Sequence, residues 1–98
     1  MTPHNPAQHA RTAADCLDRL VREVQDGRAE WGHPHTVRQA ADDLTRAADA
    51  IATALQQMAA ALDPRAPQTP RSAAALHLAG QAAVTAATQL RLARRTLH

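Results

Sequence analysis

At 98 residues the chain is long enough for one domain with a modest core. Its 25 alanines stand against only ten Leu, four Val, two Met, Ile51 and Trp31, so that core is thinner than a hydrophobic fraction of 45% suggests; scarce β-branched and aromatic residues argue against a sheet, and a single cysteine, Cys16, excludes an intrachain disulfide. The formal charge of +2 joins an acidic front, nine acids against six Arg through Asp63, to a basic back of five Arg and no acid. Eleven Arg without one Lys reads as the composition of a GC-rich bacterial genome, so the Arg excess is not by itself a nucleic-acid signature.

Met1 to Ala10 has no apolar run and no early basic cluster, so a signal peptide is not expected. No stretch approaches the roughly 18 consecutive apolar residues of a membrane span, which makes a soluble cytoplasmic protein the default expectation.

A first helix is expected over about residues 6–30. Asn5 is placed to cap it, with Pro6 at its first position. Ala10, Leu17, Val24 and Trp31 recur at seven, with Ala13 and Leu20 in a second row and Ala14 and Val21 beside them. The opposite face alternates in sign through Arg11, Asp15, Arg19 and Glu23, and through Asp18, Arg22 and Asp26, the pattern of a solvated helix face. Gly27 ends or weakens this helix; because Trp31 keeps the phase, the helix is allowed to run on, and Trp31 is expected to cap one end of the core.

The central helix has the clearest period, from Thr36 to Leu62. Thr36 and Gln39 fit a capping box. Val37, Leu44, Ile51 and Met58 form one row of an a/d stripe, and Ala41, Ala48, Leu55 and Leu62 the other. Arg38, Asp42, Arg46 and Asp49 mark its outer face, which is uncharged from Thr53 onward. Asp63-Pro64 stops the helix, and Pro64, Pro67 and Pro70 stiffen a connector over 63–70 that is not read as a domain boundary.

A last helix is expected over about 70–97. Leu76, Ala83, Leu90 and Leu97 repeat at seven, with Ala79, Ala86 and Ala93 as companions and Gly80 and Ala87 beside them. A second apolar line, Leu78, Ala82, Val84 and Leu92, exceeds what a three-helix monomer needs.

Candidate chemistry is sparse. Arg91, Arg94 and Arg95 could bind an anion, but cations at a helix C-terminus are favourable without any ligand. Nucleic-acid binding, with Arg71 as a further contact, lacks zinc-finger spacing, an RNP motif or stacking aromatics. The same Arg cluster with Leu90, Leu92 and Leu97 could lie on an anionic membrane surface, although packing accounts for those leucines more simply. His33 and His35, with Cys16, His4 or His9, match no established zinc spacing; His77 reads as a surface or interface residue. Ser72 is the only serine, Asp42 and Asp43 diverge by about 100° on a helix, and no Gly-rich phosphate loop exists, so catalysis is not expected. Trp31-Gly32 lacks the intervening residue of the Trp-x-Gly motif borne by small secreted helical hairpins, and a chain without Tyr cannot supply that family's tail tyrosine, so nothing is transferred from it.

The expectation is therefore an all-α, alanine-rich single domain: three helices in an antiparallel up-down-up bundle, with Leu17, Leu20, Val24, Trp31, Leu44, Ile51, Leu55, Met58, Leu76 and Leu90 in its core. The expected function is non-catalytic protein–protein interaction, with self-association, as a coiled-coil-like homodimer, through Leu78, Ala82, Val84 and Leu92. A nucleic-acid accessory protein and a helical metal or ligand module are the alternatives; no cofactor is implied.

Overall fold

The computed structural model describes residues 5–97. The fold is all-α. Three helices follow one another, α1 (Pro6–Gln25), α2 (Pro34–Ala60) and α3 (Thr69–Thr96), and the described residues contain no strand. The chain divides into two units between His33 and Pro34, inside the turn-rich segment that carries Gly27, Gly32 and Pro34.

In the first unit, α1 begins where its residues dictate. The Asn5 side chain accepts a hydrogen bond from the Ala7 N–H at 3.0 Å, and Pro6 costs no bond because its position needs no donor. The helix stops at Gln25, five residues short of the expected end. Gly27 adopts φ +74°; the Arg28 N–H reaches the Glu23 carbonyl at 2.9 Å and the Gly27 N–H the Val24 carbonyl at 3.2 Å. This is a Schellman stop, which outweighs the seven-residue phase that pointed on to Trp31. Trp31 accordingly lies outside any helix and is 42% exposed, and no residue of α1 is buried. Leu17 is exposed, while Leu20 and Val24 are half-covered.

The second unit is a helical hairpin. α2 starts at Pro34, two residues earlier than expected, so Thr36 sits inside its first turn and does not cap it. It ends at Ala60, and the next two residues form a turn in which the Ala61 N–H bonds the Gln57 carbonyl at 3.0 Å. The connector then reverses the chain. Asp63 is its pivot: its carboxylate accepts the Arg65 N–H at 2.9 Å, and its carbonyl accepts the Ala66 N–H at 3.1 Å and the Thr69 hydroxyl. α3 opens with Pro70 in its first turn.

α2 and α3 pack closely against each other through small residues. The buried positions are Ala41, Thr45, Ala48 and Ala52 on α2, and Gly80 and Ala87 on α3. Thr45 satisfies its hydroxyl by donating to the Ala41 carbonyl at 2.6 Å, so its burial leaves no orphaned polar group. A Cβ placed on Gly80 would lie 3.8 Å from the Ala52 carbonyl oxygen and 3.9 Å from the Leu55 Cβ, which shows how near the two backbones come. Leu44, Leu55, Leu76 and Leu90 cover the edges of this seam and are half-buried.

Two parts of the core expectation are corrected here. Ile51 and Met58 were expected inside, yet they are 48% and 52% exposed in the single chain. The row that faces α3 beside Ala41, Ala48 and Leu55 is Thr45, Ala52 and Ala59, not Leu44, Ile51 and Met58. On α3 the companion of Leu76, Ala83 and Leu90 is Ala73, Gly80 and Ala87; Ala79, Ala86 and Ala93 are exposed. Closely spaced helices select the smallest side chains for their line of contact and push bulkier ones to the rims.

Candidate interaction surface

The hairpin has two unlike rims. Along one, Asp42 and Asp49 stand a heptad apart on α2. The Arg94 Nε donates to the Asp42 Oδ1 at 3.0 Å, and the Arg91 guanidinium pairs with the Asp49 carboxylate. The pairs run antiparallel and join the C-terminal end of α3 to the Asp42–Asp49 stretch of α2. All four side chains are about half-exposed, so each pair contributes only ~0.2–1 kcal/mol. Arg46 pairs with Asp43 on the outer surface of α2 at 3.1 Å.

The other rim is apolar. Leu44, Ile51 and Met58 run along it on α2, opposite Leu76 and Leu90 of α3. From Ala50 to Ala60 on α2 and from Ser72 to Leu90 on α3 there is no Asp, Glu or Arg at all. Charge is concentrated at the open end of the hairpin and in its connector.

A second exposed apolar surface lies on the side of α3 away from α2. Leu78 is 68% exposed and Leu92 52%, and Ala82 is exposed beside them. Leu78, Thr85 and Leu92 form one seven-residue row and Ala75, Ala82 and Gln89 the adjacent one. Val84 does not share this face. It lies about 100° round the helix from Thr85, on the row of Arg91 and next to the seam, and is 42% exposed.

The remaining candidates disperse. Arg91 and Arg94, two of the three possible anion-binding residues, are engaged with Asp49 and Asp42; Arg95 makes no ion pair among the described residues. No group of three or more His, Cys, Asp or Glu among the described residues is placed to hold a metal ion, and His4 lies outside them. Cys16 is exposed on α1. Two depressions along α1 and the turn after it are lined by Asp18, Val21 and Arg22 and by Arg19, Arg22, Glu23, Asp26 and Arg28. No described helix is long and apolar enough to cross a membrane. No family model, curated protein or solved structure matches the chain.

Sequence reasoning missed the ion-pair rim. Its signal was present: Asp42 and Asp49 at seven, facing an Arg pair three apart on a helix expected to run antiparallel. Arg94 was assigned to the helix terminus or a ligand, while the partner that holds it was counted as outer-face decoration.

Proposed function

We propose that this is a non-catalytic helical interaction protein that associates with itself. One observation carries the reading. Its interhelical seam is built from Ala, Gly and Thr, whereas Ile51, Met58, Leu78, Val84 and Leu92 stand exposed on the hairpin. A soluble chain gains little from holding its largest aliphatic side chains in water, and rows of them on helices that already have a packed side match a surface for another helix. The nucleic-acid alternative loses support because Arg91 and Arg94 are neutralised by Asp49 and Asp42.

Sedimentation velocity over a concentration series is the test. The weight-average mass is expected to rise above 10.5 kDa with loading, and Leu78→Arg with Leu92→Arg to hold it at the monomer value. A monomer at every loading refutes the reading. A gel shift at about 50 mM salt that disappears as salt rises would favour nucleic-acid binding instead.

A further inference from the structure

No further inference is drawn: the strongest candidate, the apolar rim of the hairpin formed by Leu44, Ile51 and Met58 of α2 with Leu76 and Leu90 of α3, is an unpartnered face, and nothing in the structure shows what covers it.

Discussion

Two glycines respond to the same substitution in opposite senses. At Gly27, φ +74° lies in the left-handed region, and alanine there pays about 1–2 kcal/mol although nothing lies within 4 Å of the added Cβ. Gly27→Ala is expected to unravel the last turn of α1, seen as faster amide exchange at Arg28, whose N–H bonds the Glu23 carbonyl. Gly80 is mid-helix with ordinary geometry, and its added Cβ would meet neighbours at 3.8 and 3.9 Å, which is van der Waals contact. Gly80→Ala is therefore expected to stabilise the hairpin by ~0.5–1 kcal/mol in urea denaturation, through helix propensity. A loss of stability would mean that the seam is tighter than its distances indicate.

At the scale of the elements, the hairpin is held by a narrow joint and an ionic rim. Ala87, fully buried, is where enlargement hurts most: Ala87→Leu is expected to cost at least ~1–3 kcal/mol by forcing α2 and α3 apart. Asp42→Asn with Asp49→Asn is expected to cost under ~2 kcal/mol for both pairs together, the loss shrinking as salt is added. Denaturation at low and high ionic strength checks this; a salt-independent loss would show that the carboxylates pack and do not pair. These elements were legible from residues to different degrees. Asn5-Pro6 announced the start of α1, and Asp63-Pro64 announced the reversal, because capping and proline geometry are local. The facing rows were not legible. Hydrophobicity counting favours Ile51 and Met58, whereas the contact was decided by bulk, and Thr45 and Ala52 carry little signal of their own. The C-terminal limit of α1 was missed because periodicity was allowed to outvote a left-handed glycine. Of the proposed interface, Leu78, Ala82 and Leu92 share a face, and Val84 was grouped with them although 100° per residue separates it.

For the whole molecule, the charge-free stretches of the hairpin predict that the proposed self-association is insensitive to simple electrolyte. The sedimentation equilibrium is expected to change little between low and high sodium chloride, yet to shift toward the larger species in ammonium sulfate, which is excluded from apolar surface. Dissociation by sodium chloride would point to the ionic rim as the contact.

The joint between α2 and α3 is made almost entirely from Ala and Gly, so nearly all variation there moves it in one direction. Every replacement at Ala48, Ala52 or Ala87 other than glycine enlarges a buried side chain and widens the gap. Drift at these sites would act as a ratchet that pries the rods apart, while Leu78 or Met58 can wander among aliphatics at small cost to the single chain. Descendants of this sequence should therefore hold Ala48, Ala52 and Ala87 as closely as a helical protein usually holds its buried leucines.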